Sequence, residues 1–394
     1  MSRFRTPALG WLAVTAVLAV EQRVVNARHT HQGAGGWPGF TGFFAGWQQF
    51  DVGVYQYIAA NGYWWRPGER PPTTFFPLFA LLIRWLQPLT GDDLFAAGLI
   101  VSAASGLAAV VLFWRWTGRW DLAPDRRRLA LWLLLLYPWA FFLTGVPFSD
   151  ALFVALLIGA YLAVESDRLL LAALVGALAS ATRPTGMFLA PALVLLALER
   201  AEVLTARPLG DQPSWFARLR LPLRFDRRRF RWRQLWPIGS LAGIAAYSAY
   251  LGVRFGRPFT YLADRHLYDG TGPKTWFKAG LIENLITWDD PWRTVAQALA
   301  AVLAVAVFLA VPAVGRRFGW GYGLFTFTVV AMPALSTRDF NSTGRYLLAA
   351  FPVLVLLAEA LGARGRRWQV AWLVASAVGL LAFNAAFAQS QMVS

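Results

Sequence analysis

Four charged residues stand at breaks between apolar runs, where charge is costly: Asp51, Asp150, Arg183 and Arg345. Asp51 opens the stretch 51–62, in which Tyr55, Ile58 and Ala59 share one helical face and Gly62 suits the position past a helix end. A carboxylate at a helix mouth either bonds the free backbone amides as a cap or is held for chemistry, and spacing alone leaves both readings open. Asp150 raises the same question, and its neighbour Ser149 could cap in its place. Arg183 lies between two short apolar segments, where an unpartnered cation costs about 2.5 kcal/mol or more. It is either a structural partner for a carboxylate such as Asp150 or a clamp on an anionic headgroup. Arg345 heads an apolar run after the polar stretch 336–344. An arginine at a helix start opposes the helix dipole, so capping does not account for it.

The composition restricts how these groups are carried. Hydrophobic residues make up 57% of the chain and charged residues only 15%, with apolar runs along its whole length, which predicts an all-α polytopic membrane protein rather than a set of soluble domains. The formal charge of +16 is almost all arginine; in a membrane chain it marks loops facing the cytoplasm, and no nucleic-acid partner is expected. There is no cysteine, hence no disulfide and no thiol chemistry, and the three histidines (His29, His31, His266) are too scattered to predict a metal site.

Topology follows from the basic connectors. Arg3 and Arg5 precede an apolar run that is either a first helix or a signal peptide, with a passable cleavage site at 25–27. If 75–89, which contains Arg84 and is bracketed by Pro77 and Pro88, crossed the membrane, the next arginine-rich loops would lie outside. If it lies flat on the outer interface, the connectors 115–128, 200–233, 316–317 and 364–367 all fall in the cytoplasm. The second arrangement is expected. It gives crossings near 8–25, 94–114, 129–146, 150–165, 169–183, 185–199, 235–254, 294–314, 318–334, 345–362 and 368–388, about eleven in all. The chain 1–394 then forms one integral membrane domain with outer loops 26–93 and 255–293 and a basic cytoplasmic loop 200–234. That basic loop is expected to lie on anionic headgroups.

With this topology Asp51, Asp150, Arg183, Arg338 and Arg345 all reach the outer side, along with His266, Lys274 and Lys278. The cytoplasmic loops hold no glycine-rich phosphate cradle. Any chemistry therefore belongs outside and needs a donor already carried across the membrane by a lipid. Tyr346 and the many interfacial tryptophans are read as an aromatic belt.

Several of these residues recur in order: Phe50-Asp51, Tyr55, Ile58-Ala59 and Gly62-Tyr63; Phe75-Phe76-Pro77; Ser149-Asp150-Ala151-Leu152-Phe153; Thr182-Arg183-Pro184-Thr185-Gly186; and Arg345-Tyr346 leading to Pro352. On these motifs, spread over 47–355, the chain resembles the PIG-V-like mannosyltransferases, the family of the second GPI mannosyltransferase and its bacterial relatives. It departs from the pattern at Phe50, Val54 and Asp150, where the family often has Trp, His and Glu. These departures bear on the acceptor and on Asp150 more than on the reaction class.

The resemblance implies a GT-C glycosyltransferase fold with juxtamembrane helices in the first outer loop, using a polyprenyl-phosphate sugar, usually mannose. The acceptor would be a glycolipid, lipoglycan or other envelope glycan at the outer face of a bacterial plasma membrane. No cofactor is required by such a reaction and no divalent metal is expected. Asp51 would be the general base and Arg183, Arg338 and Arg345 would bind the donor phosphate; Asp150 would orient the acceptor or hold Arg183. Tyr55, Lys274 and His266 are weaker candidates. The rival readings are a lipid-linked sugar flippase or exporter, and a non-catalytic membrane subunit of a glycosyltransferase complex.

Overall fold

Helix is the state that lets an apolar chain satisfy its own backbone, and helix dominates here. A computed structural model describes residues 5–29, 39–206, 223–264, 267 and 277–393. The principal helices are α1 (Arg5–His29), α2 (Asp51–Asn61), α3 (Pro77–Leu86), α4 (Leu94–Thr117), α5 (Pro124–Leu135), α6 (Asp150–Glu165), α7 (Leu169–Ser180), α8 (Leu189–Arg200), α9 (Ala242–Phe255), α10 (Ala279–Thr287), α11 (Pro291–Phe318), α12 (Trp320–Ser336), α13 (Pro352–Arg364) and α14 (Arg366–Ala388). The strands β1 (Leu204–Ala206) and β2 (Leu223–Phe225) pair antiparallel, Leu204 opposite Phe225, at the base of the basic loop. Among the described residues four helices, α1, α4, α11 and α14, are long and apolar enough to cross a membrane. The bent pair Thr343–Ala350 and Pro352–Arg364, turning through 79°, is a fifth if counted as one span. These helices fit a membrane-embedded protein.

The bundle is built around α6. Thirteen of its sixteen residues are buried and the other three, Leu152, Leu156 and Gly159, are half-buried, and it packs against α4, α7 and α8. Its ends are therefore the places where charge can be held deep inside the fold. α1 belongs to the bundle: it packs on α14, and Asn384 donates to the Leu18 carbonyl at 3.1 Å and to the Glu21 carboxylate at 2.9 Å.

Five expected spans are shorter or more broken than expected: 169–183, 185–199 and 235–254 are α-helical over Leu169–Ser180, Leu189–Arg200 and Ala242–Phe255, and two others break inside. The segment 129–146 is helical only to Leu135, because Pro138 cannot continue the helix and disfavours helical backbone before it. The irregular stretch that follows is buried, and its carbonyls are met from other helices. Trp11 Nε1 donates to the Leu143 carbonyl at 2.7 Å, and Ser102 Oγ donates to that of Phe148 at 3.4 Å. The segment 345–362 is broken at Pro352 into one helical turn, Thr343–Tyr346, a short 3₁₀ piece and α13. Non-helical backbone at such depth is tolerated only where it is enclosed by protein or lines a cavity.

The stretch 75–89, expected not to cross, carries a short helix. α3 has ten residues, about 15 Å of rise and half a bilayer. It buries Leu78, Phe79, Ala80 and Ile83 against α2 and leaves Trp85 exposed. Its start is tied inward by a Leu78 N–H to Ala181 carbonyl bond of 3.0 Å. The two segments expected on the outer side also meet: Trp65 Nε1 donates to Asp264 Oδ2 at 2.7 Å, and Arg257 stacks on Trp65 at 4.3 Å.

Candidate active site

α2 places Asp51 as its first residue. The helix ends at Asn61 with Gly62 at a φ of 77°, a conformation that glycine adopts without strain. The residue before Asp51, Phe50, has a φ of 49°, which is costly for a bulky side chain, and its ring rests on Phe387 at 5.4 Å. Asp51 does not cap its helix. Capping is done elsewhere in this chain, and the contrast is instructive. Asp93 accepts from the Phe95 and Ala96 amides at 2.9 Å, and Asp290 accepts from the Arg293 amide at 3.0 Å. The Asp51 carboxylate turns the other way, accepting from Arg345 Nη2 at 3.2 Å across 294 positions of sequence.

Asp150 makes the same choice. Ser149 holds the N-cap position, neither residue caps through its side chain, and the Asp150 carboxylate pairs with Arg183 Nη1. Its second oxygen lies 3.6 Å from Arg345 Nη1. The result is a row: Asp51, Arg345, Asp150, Arg183. Side-chain exposure is 29% at Asp51 and 8%, 1% and 11% at the next three, so Asp51 is the most accessible member.

Local backbone breaks produce this convergence. Pro184 disfavours helix at Arg183, which is extended at the end of α7 and starts the turn Pro184–Phe188. Gly186 is required there: a Cβ would stand 2.5 Å from Ser180 Cα. Arg345 sits in the last turn of the short helix Thr343–Tyr346, not at the start of a long one, so the dipole objection raised from sequence does not apply. Its Nη2 also donates to Ser342 Oγ at 3.1 Å, and its Nε is buried without a hydrogen-bond partner among the described residues.

Aromatic rings enclose the guanidiniums. Arg345 lies over Phe148 at 4.9 Å and Phe142 at 5.6 Å, and Arg183 over Tyr346 at 4.4 Å. Tyr346, read from sequence as part of an aromatic belt, is thus a wall of this cluster; its position beside Arg345 was the available signal. A small cavity with room for about one water is lined by both arginines, Asp150, Thr185 and Tyr346. Thr185, Phe142 and Phe148 carried no chemical signal in the sequence as site walls.

The other expected residues are placed differently. Tyr55 is a structural post: its hydroxyl donates to Ser149 Oγ at 2.9 Å and its ring packs edge-on against Phe75 and Phe79. Burial raises its phenol well above the ordinary value, so it serves as a neutral donor. Arg338 is not brought to the cluster; it pairs with the exposed Glu283 at 2.8 Å. His266 and Lys274 lie outside the described residues. Among the described residues no group of three or more His, Cys, Asp or Glu is arranged to hold a metal.

Chemically, the arrangement offers an accessible carboxylate and two buried guanidiniums within one row. That combination can accept a proton at one end and hold a phosphate at the other. No protein-family model, curated protein or solved structure matches the chain.

Proposed function

We propose that the protein is an inverting glycosyltransferase of the GT-C type, with about eleven crossings, that moves a sugar, most simply mannose, from a polyprenyl-phosphate carrier to a hydroxyl of a glycolipid or envelope glycan on the outer face. The observation that carries this reading is the Asp51–Arg345 contact. An accessible carboxylate at a helix mouth has given up capping to share a buried arginine with a second ion pair that is almost wholly buried.

In this reaction the acceptor oxygen attacks the anomeric carbon, and Asp51 takes its proton. The bond from that carbon to the phosphate oxygen breaks, its electron pair leaving on the lipid phosphate, and the anomeric centre inverts. Arg345 and Arg183 offset the charge that grows on the leaving phosphate. Asp150 keeps both arginines in place; it is the arginine partner of the two roles open to it. A phosphate drawn to Arg345 also competes with Asp51 for Nη2, so donor binding would release the carboxylate as the base is needed.

The test is transfer of sugar by the purified full chain in detergent, from polyprenyl-phosphate mannose to a panel of glycolipid acceptors. Asp51→Asn should abolish transfer while phosphate still raises the melting temperature. A folded Asp51→Asn protein with full transfer would remove the base from this mechanism. Transport of intact lipid-linked sugar without transfer would favour a flippase.

A further inference from the structure

Arg345 is aimed by the turn before it, the stretch 337–342 between α12 and the short helix Thr343–Tyr346. Ser342 Oγ accepts from Arg345 Nη2 at 3.1 Å. The Thr343 amide donates to the Phe340 carbonyl at 3.1 Å and the Tyr346 amide to that of Ser342 at 3.2 Å, so the shape of the turn passes directly into the helix that carries Arg345. Phe340 and Ser342 both hold positive φ (60° and 61°), which residues with side chains keep only where their surroundings impose it. Packing alone does not impose it, because a small second cavity with room for about one water borders Phe340, Asn341, Ser342 and Gly344.

The restraint comes from the segment 278–293. Lys278 Nζ donates to the Pro333 carbonyl at 3.1 Å and to that of Thr337, and the Gly280 amide donates to the Arg338 carbonyl at 3.0 Å. A Cβ at Gly280 would stand 2.7 Å from Arg338 Nε, so the two stretches meet closely. The charged contact lies inside the turn. Asp339, only 4% exposed, accepts from Arg293 Nη2 at 2.7 Å on Oδ2 and from the Asn341 amide at 3.1 Å on Oδ1. Arg293 stands in the first turn of α11, where a cation opposes the helix dipole, so its charge serves the turn rather than its own helix. We infer that Asp339 is a positioning residue: anchored to Arg293, it fixes the turn so that Ser342 holds the Arg345 guanidinium toward Asp51 and Asp150. The role rests on the transferase reading only in taking Arg345 as a group that meets the phosphate. Arg338 is the comparison within the same turn, since its side chain pairs with the exposed Glu283 and passes nothing on to Arg345.

The test uses the full chain in detergent. Inorganic phosphate is titrated against melting temperature, and arginine labelling by phenylglyoxal is read by peptide mass spectrometry. The wild type should give a saturable phosphate shift and leave Arg345 unlabelled. Asp339→Asn, which keeps an oxygen for the Asn341 amide but loses the charge, and Arg293→Gln should each weaken the phosphate midpoint about tenfold and open Arg345 to the label. The double variant should be no weaker than either single one, because both break the same link. Arg293→Lys, which keeps a cation for Asp339, should restore most of the phosphate response, and Arg338→Gln should match wild type in both readouts. Folded single variants with a lower melting temperature but an unchanged phosphate midpoint would show a structural pair only and overturn the inference. A double variant about a hundredfold weaker also overturns it, since the two residues would then act separately. If wild type itself gives no phosphate shift, the donor-phosphate reading fails and labelling decides the positioning by itself: label on Arg345 in both single variants supports it, and none overturns it.

Discussion

At its first residue α6 presents Asp150 to Arg183 and Arg345; at its last, roughly 22 Å away, it presents Glu165 to Tyr322, Trp116 and Arg119. Both ends bury a carboxylate next to arginine, yet they are finished differently. Glu165 Oε1 accepts from the Tyr322 hydroxyl and from Trp116 Nε1 at 3.3 Å, and its Oε2 lies 3.6 Å from Arg119 Nε. Arg119 and Arg200 each also donate to the Glu165 carbonyl, at 3.2 and 3.1 Å, which offsets the cost of an acid at a helix C-terminus. Tyr161 stacks on Tyr322 at 4.1 Å, and neither cavity touches this end. Neutral phenol and indole donors hold Oε1 in a brace, while Oε2 is buried beside Arg119 without a hydrogen bond among the described residues. At the Asp150 end the partners are guanidiniums, one of them with an unmatched N–H, beside a cavity and in contact with an accessible second acid. A buried carboxylate alone therefore does not mark chemistry; the Asp150 end is set apart by the cavity beside it and by the accessible Asp51.

This contrast can be broken by substitution. Asp51→Asn should lower transfer by about 10²–10⁴-fold with little change in melting temperature, and Arg345→Gln by about 10²–10³-fold, with loss of the phosphate-induced thermal shift. Asp150→Ala leaves Arg183 buried and unpaired, and should cost about 3–5 kcal/mol of stability as well as activity; denaturant titration in detergent measures the first. Glu165→Gln should cost about 1–3 kcal/mol with phosphate binding intact. If instead it weakens phosphate binding as Arg345→Gln does, the two ends are coupled and the distinction fails.

The smallest effects come from exposed or peripheral charge. Arg338→Gln should stay within about 0.5 kcal/mol of wild type and leave phosphate binding unchanged, because its ion pair is solvent-exposed. Lys278, which donates to the Pro333 and Thr337 carbonyls, is lowered by burial to about 8 despite the opposing pull of Asp339. Between about pH 8 and the usual lysine value of 10.5 the unfolded chain holds a proton that the folded chain has lost. Stability should therefore rise with pH across that window, and Lys278→Met should flatten the rise in a pH series of melting curves.

Much of the arrangement was legible in the chain. The apolar runs predicted helices, and Gly62 marked the end of α2. Asp51, Asp150, Arg183 and Arg345 were visible because each interrupts apolar sequence where an unmet charge is expensive. Less legible was the irregular backbone after Leu135 and the bend at Pro352. An apolar composition predicts helix through such stretches, and only neighbouring donors such as Trp11 and Ser102 make a break tolerable.

By itself the sequence determined which residues carry charge into the apolar bundle and at which turns they stand, because helix period, proline and glycine act locally. Tertiary structure alone decided who meets whom. Asp51 and Asp93 are both acids at helix starts, yet one turns to Arg345 and the other caps. Arg338 and Arg345 are seven positions apart, yet one faces Glu283 and the other Asp51 and Asp150. Local spacing cannot choose between a nearby backbone amide and a guanidinium 294 positions away. Packing around α6 makes that choice, by burying the arginines where only a carboxylate or an incoming anion can match them.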